Sequence, residues 1–77
     1  MKIILYTLPM CGICNMIKTK LQQKNIIFEE KNFEDIAEAI NSNRAPALEI
    51  TNVYGDVTIY NTPSDIVSWI ESQKGVK

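Results

Sequence analysis

Apolar residues along the chain fall into four short runs that predict β-strands. Residues 2–6 are mostly apolar without clean alternation, which is typical of a strand buried on both faces. The other three β-prone runs are residues 26–30, 47–50 and 57–60. A loop rich in turn-forming residues, 52–56, separates the last two runs and favours a hairpin.

Apolar residues at helical spacing predict two helices in the first half of the chain. The first helix follows the segment 9–12, and Asn25 is expected to end it. Its apolar face is predicted to be Ile13, Met16, Ile17 and Leu21. The second helix begins where Asn32 and Asp35 resemble an N-cap and its capping partner. Its apolar face is predicted to be Phe33, Ile36, Ala37 and Ile40.

A third helix has the clearest start signal. Thr62 is expected at its N-cap, Pro63 at the first helical position and Asp65 at the third. Gly75 is expected to end it. Its buried face is predicted to be Ile66, Val67, Trp69 and Ile70.

These elements follow the order β-α-β-α-β-β-α. Because a β-α-β unit has a right-handed crossover, strands one and two should be parallel, and the final hairpin should be antiparallel. A chain of 77 residues has room for one compact core. The sequence therefore predicts an α/β fold, with a four-stranded mixed sheet and three helices, in a single domain over residues 1–77.

The charge and hydropathy of the chain argue against some classes of binding partner. The net charge is −1 without a concentrated basic face, which argues against nucleic acid or an anionic membrane. No stretch approaches the ~20 apolar residues that span a bilayer. The apolar start is short and interrupted by Pro9, unlike a signal peptide. We therefore expect a cytoplasmic protein, in a compartment where thiols are kept reduced. We also expect it to be a monomer.

The two cysteines, Cys11 and Cys14, are the strongest candidates for chemistry. In a reducing compartment such a pair is more often catalytic or metal-binding than structural. The pair lies between the first strand and the first helix, where unpaired N–H groups and the helix dipole stabilise a thiolate. We expect the N–H groups of Ile13 and Cys14 to bind the Cys11 sulfur, and Cys14 to be the more buried cysteine.

Other uses of this pair stay open on the residues alone. Two cysteines one turn apart also fit buried apolar filler. A zinc site needs about four ligands, and this chain has two cysteines and no histidine. A metal or iron–sulfur cluster shared between two chains, or a redox sensor, would use the same cysteines. The absence of histidine excludes a Cys–His nucleophile, which leaves dithiol redox chemistry as the leading hypothesis.

Three motifs follow one another along the chain. They are Cys11-Gly12-Ile13-Cys14, Arg44-Ala45-Pro46-Ala47 at the third strand, and residues 64–70 in the last helix. Together they resemble the glutaredoxin family, which has the thioredoxin fold, over residues 2–73. The resemblance implies a thiol–disulfide oxidoreductase in which Cys11 attacks the substrate and Cys14 resolves the mixed disulfide.

The resemblance also implies a substrate site. In the family, the proline that matches Pro46 is cis, the backbone that matches Ala45 pairs with extended substrate, and the residue that matches Asp65 holds the γ-glutamyl end of glutathione. The implied substrate-binding residues are Ala45, Pro46, Thr62, Ser64 and Asp65. No resident cofactor or metal is implied, and glutathione would act as cosubstrate or reductant.

Three departures from the family pattern bear on the partners. Leu8 replaces a lysine, Gly12-Ile13 replaces Pro-Tyr, and Asn61-Thr62 replaces a glycine pair. These departures favour the related glutaredoxin-like redoxins, which reduce ribonucleotide reductase and are recharged by thioredoxin reductase. The implied partners are protein disulfides, with glutathione or thioredoxin reductase as electron source. Positive potential near the site could come from Lys18, Lys20 and Arg44, but we expect these three to be solvated charges.

Overall fold

The structure, a computed structural model, describes residues 1–40 and 45–73. The described strands are β1 (Lys2–Thr7), β2 (Glu29–Asn32), β3 (Ala47–Thr51) and β4 (Val57–Tyr60). The described helices are α1 (Gly12–Gln23), α2 (Glu34–Ala37) and α3 (Pro63–Ser72). This order is the predicted one. None of these three helices is both long enough and apolar enough to cross a membrane.

The four strands form one mixed sheet in the order β2-β1-β3-β4. Strand β1 is parallel to β2 and antiparallel to β3, and β3 is antiparallel to β4. Thr7 pairs with Asn32, Tyr6 with Ala47, and Leu48 with Tyr60. The ends of β1, β2 and β4 and the start of β3 therefore meet at one end of the sheet, here called the Thr7 end.

Side chains of β1 alternate between two apolar clusters, one on each face of the sheet. Ile3 and Leu5 belong to the larger cluster, and Ile4 and Tyr6 belong to the smaller one. The remaining buried members of the larger cluster are Ile17, Leu21, Leu48, Ile50, Ile66 and Ile70. Those of the smaller cluster are Phe33, Ile36 and Ala47. The prediction that β1 is buried on both faces is confirmed, with α1 and α3 on one face and α2 on the other.

The buried face of α1 is centred on a different set of residues from the predicted one. Cys14, Ile17 and Leu21 are buried, whereas Ile13 is 46% and Met16 44% exposed. Successive helical residues are about 100° apart, so a face through positions 14, 17 and 21 leaves position 13 at its margin and position 16 well outside it. The prediction was wrong for Ile13 and Met16 because it left Cys14 out of the apolar face.

Strand β2 begins three residues later than predicted. Its pairing with β1 runs from Glu29 to Asn32. In the connection before it, Ile26 and Phe28 pack against the larger cluster and Ile27 is 92% exposed. An apolar run predicts a strand, but hydrogen bonding to β1 decides where the strand begins.

Helix α2 is shorter than predicted and has a different N-cap. Its N-cap is Phe33, and the helix ends at Ala37 instead of reaching Ile40. Asn32 still binds the start of this helix, since its Oδ1 accepts a hydrogen bond of 2.8 Å from the N–H of Glu34. Asn32 was therefore correctly predicted to bind the start of α2, but it lies one position before the N-cap instead of at it.

The end of α1 and the start of α3 agree with the local signals. Asn25 has a left-handed φ of 57°, and its N–H donates to the Gln22 carbonyl at 3.0 Å. Thr62 is the N-cap of α3 and Pro63 its first residue. The predicted buried face of α3 is confirmed. Ile66 and Ile70 are buried, and Val67 and Trp69 are partly buried. The expected stop at Gly75 lies outside the described residues.

Candidate functional site

Cys11 occupies the N-cap position of α1. Its backbone is extended, with φ −97° and ψ 105°, and its Sγ accepts a hydrogen bond of 3.1 Å from the N–H of Cys14. The sulfur therefore takes the place that a serine or aspartate oxygen usually has at a helix start. Of the two predicted donors, the structure places the N–H of Cys14 on the sulfur. A negative charge on Sγ would be stabilised by this bond and by the helix dipole.

The two cysteines differ in how far a partner can reach them. Their sulfurs are joined in a disulfide, with the Cα atoms 5.2 Å apart. Cys14 is 1% exposed and Cys11 is half-buried. The prediction that Cys14 is the more buried cysteine is confirmed. Cys11 is therefore the more accessible of the two cysteines to an incoming thiol or disulfide.

The start of β3 lies beside the cysteine loop at the Thr7 end of the sheet. Tyr6, near the end of β1, pairs with Ala47. The Ala45–Pro46 peptide bond before it is cis. Pro46 is buried and Ala45 half-buried. These two residues are thus brought to the end of the sheet from which α1 begins.

Strand β4 carries the N-terminus of α3 to the same end. Asn61 follows β4, and its Nδ2 donates a hydrogen bond of 3.4 Å to the Pro46 carbonyl. Thr62 lies at the N-cap, without a side-chain capping bond, and Ser64 and Asp65 are exposed in the first turn. The implied substrate-binding residues therefore share one end of the sheet with the cysteine pair.

An ion pair lies beside the cysteine loop on its β2 side. Lys18 Nζ lies 2.9 Å from Glu30 Oε2, which also accepts a hydrogen bond of 2.9 Å from Thr7 Oγ1. The hydrogen bond from Lys18, followed by that from Thr7, holds the pKa of the Glu30 carboxyl below its ordinary value. Lys18 therefore forms an ion pair that is still partly exposed to solvent.

The structure places Lys20 beside α3 and shows no metal-binding group within the described residues of this chain. Lys20 lies 3.8 Å from Glu71 of α3, a surface ion pair of a kind that contributes little to stability. Arg44 lies outside the described residues. Over residues 1–40 and 45–73, no three Cys, Asp or Glu side chains converge as a metal-binding group.

A cavity of about 420 Å³ opens on the β2 side of the cysteine loop. Leu8, Pro9 and Met10 line it together with Lys18 and the end of β2. Sequence reasoning missed Met10, which has a left-handed φ of 61° and a relative exposure of 103%. The sequence holds no signal for this conformation, because left-handed residues are usually Gly, Asn or Asp.

Comparison with known protein families identifies the family of this chain. The glutaredoxin family model matches residues 3–52, which is more than half of the 77-residue chain. The chain belongs to the glutaredoxin family. The match includes β1, the cysteine pair and Pro46, and at a general level the family and the pair indicate thiol–disulfide redox chemistry.

A solved structure shows the fold of this glutaredoxin independently. The trimeric glutathione transferase TDR1 of Leishmania is similar with a TM-score of 0.68 and 15% identity. The alignment covers 90% of the glutaredoxin chain but only 17% of the transferase chain. A likeness at this identity shows the thioredoxin-like fold alone. No curated protein sequence matches the chain.

Proposed function

We propose that this glutaredoxin is a dithiol oxidoreductase that reduces protein disulfides and glutathione mixed disulfides through Cys11 and Cys14. The observation that carries the proposal is the asymmetry of the pair at the start of α1. Cys11 is reachable and its sulfur accepts an N–H bond, whereas Cys14 is buried within bonding distance of that sulfur. This asymmetry suits Cys11 to attack and Cys14 to resolution.

The cycle has two exchanges. In the first, the Cys11 thiolate attacks one sulfur of a substrate disulfide, and the other substrate sulfur leaves as a thiolate. In the second, Cys14 loses its proton and attacks Cys11 Sγ, so that the mixed disulfide breaks and the second substrate sulfur leaves and takes up a proton. The substrate gains two electrons, the pair loses two, and glutathione or a flavin reductase returns them.

The N–H bond and the helix dipole both favour the thiolate form of Cys11. A lower thiol pKa raises the thiolate fraction but lowers nucleophilicity, so the net gain in the rate of attack is small. The larger benefit falls on a different step. When glutathione attacks the substrate sulfur of the mixed disulfide, a stabilised Cys11 thiolate leaves readily, which makes the exchange reversible.

Residues at the start of α3 and before the cysteine pair support protein disulfides as the main substrates. Asn61 places a side chain against the Pro46 carbonyl, at a position where the family has glycine and a ligand backbone can approach. Leu8 packs against the smaller apolar cluster and offers no cation for a glutathione carboxylate. Asp65 and the first turn of α3 would still face a γ-glutamyl group. The resemblance to the redoxins that reduce ribonucleotide reductase makes that enzyme a candidate protein substrate.

A coupled assay tests this proposal. The protein is supplied in catalytic amounts with insulin as the disulfide substrate, together with glutathione and its reductase or with thioredoxin and thioredoxin reductase. NADPH consumption is followed against the same mixtures without the protein. We expect faster turnover with the thioredoxin couple, because the glutathione site lacks a cation and the glycine pair. Cys11→Ser should abolish turnover with either couple, and Cys14→Ser should keep only the reactions that glutathione can resolve.

Two results would count against the proposal. Turnover that survived in the Cys11→Ser protein would exclude Cys11 as the attacking residue. An as-isolated dimer with an iron–sulfur absorbance band would instead favour the second hypothesis, in which the cysteines of two chains hold a cluster.

A further inference from the structure

Met10, which directly precedes Cys11, is held in a costly conformation. Its φ of 61° lies in the left-handed region, where a non-glycine residue carries a cost of roughly 1–2 kcal/mol. Its side chain is fully exposed, at 103%, so burial of the side chain offsets none of that cost. Backbone strain next to a reactive residue is typical of a functional role outside folding.

The surroundings of Met10 show on which side of Cys11 it acts. Pro46 lies toward β3, whereas Met10 lines the cavity of about 420 Å³ on the β2 side. This cavity is open to solvent, and its lining is mostly polar, with Asn15, Lys31 and Asn32 beside the Lys18–Glu30 pair. A small disulfide can react at Cys11 without entering this cavity. A polypeptide bound at Cys11 extends to both sides of the sulfur and so reaches the cavity.

We propose that Met10 is a specificity-determining residue that packs against the polypeptide beside a substrate disulfide and so favours protein disulfides over small ones. This inference rests on the proposed function. The chemistry of the partner follows from both surfaces. Methionine is apolar, unbranched and adaptable, so it suits an apolar residue next to the reactive cysteine, whereas the polar lining of the cavity suits the peptide backbone beside it. A contact formed only with the bound polypeptide explains why the apolar side chain is exposed in the free protein.

Single-turnover kinetics test this role without any reductant. Each reduced variant is mixed with insulin or with bis(2-hydroxyethyl) disulfide, and its oxidation is followed by quenching and mass spectrometry. Met10→Gly and Met10→Asn both tolerate the left-handed backbone, and Met10→Leu keeps an apolar side chain. Ile27→Asn is the control, since Ile27 is similarly exposed (92%) but precedes β2 at the opposite end of the sheet.

We expect Met10→Gly and Met10→Asn to lower the rate constant with insulin by about five- to tenfold, as for loss of a partly buried apolar contact. Their rate with bis(2-hydroxyethyl) disulfide should change by less than about twofold, because Cys11 itself is intact. Met10→Leu and Ile27→Asn should stay within about twofold of the original protein on both substrates.

The two substrates separate the ways in which this inference fails. Equal losses on both would mean that Met10 acts on the reactivity of Cys11, and an unchanged rate with insulin would mean that Met10 makes no substrate contact. Either result overturns the specificity role and leaves the proposed function standing. If the original protein were oxidised by neither substrate, the proposed function itself would fail.

Discussion

Cys14 contributes to the site through its backbone as well as its side chain. Its N–H binds Cys11 Sγ at 3.1 Å, whereas its buried sulfur is the group that closes the disulfide. A serine at position 14 therefore keeps the donor that stabilises the Cys11 thiolate and removes only the resolving sulfur. This separation makes Cys14→Ser a clean probe of the first exchange, since it leaves the groups that activate Cys11 in place.

Glu30 gives the fold a dependence on pH at the residue scale. Because Lys18 and Thr7 hold its folded-state pKa below the ordinary 4.5, the interaction stabilises the fold above that pH and is lost as the pH falls through the folded-state pKa. Glu30→Gln should lower the free energy of unfolding at pH 7 by at most about 1 kcal/mol, since the pair is partly exposed. The deficit should shrink as the pH falls to about 3.

Urea unfolding at both pH values measures this deficit. Glu29→Gln, one position earlier in β2, controls for the loss of a negative charge on the same strand. A deficit of the same size at both pH values would show that the Lys18 ion pair is not its cause.

At the scale of elements, local signals predicted some boundaries and long-range pairing decided others. The start of α3 at Pro63 and the bounds of β4 were predicted correctly, because N-cap and turn residues act within a few positions. The start of β2 was not predicted correctly, because it depends on hydrogen bonds to β1, which lies more than 20 residues away in sequence. Helix α2 was also predicted too long, although its capping residue Asn32 does bind the first turn.

Helix α1 offers a direct test of the corrected apolar face. Ile17 is fully buried in the larger cluster, whereas the adjacent Met16 is 44% exposed. Ile17→Ala should lower the free energy of unfolding by about 2–4 kcal/mol, because it removes core contacts and leaves a cavity. Met16→Ala should lower it by less than about 1 kcal/mol. Urea denaturation of both variants measures the difference, and equal losses would contradict the assigned helix face.

At the scale of the whole molecule, the sheet order gathers a site from three separate parts of the chain. The cysteine loop, the start of β3 and the start of α3 meet at the Thr7 end. The sequence alone identified the cysteine pair, whereas Ala45, Pro46 and Asp65 were predicted only through the resemblance to glutaredoxins. Met10 and the Lys18–Glu30 pair could not be predicted, because a backbone angle and a contact between α1 and β2 leave no local pattern.

The central claim is that Cys11 attacks and Cys14 resolves, and trapping the mixed disulfide tests it most directly. Reduced Cys14→Ser and Cys11→Ser proteins are incubated with glutathione disulfide, and the adduct is located by peptide mass spectrometry over time. Cys14→Ser should accumulate one glutathione on Cys11 at least about tenfold faster than Cys11→Ser accumulates it on Cys14, since Cys14 is 1% exposed. An adduct that formed as fast on Cys14, or none on Cys11, would contradict the account.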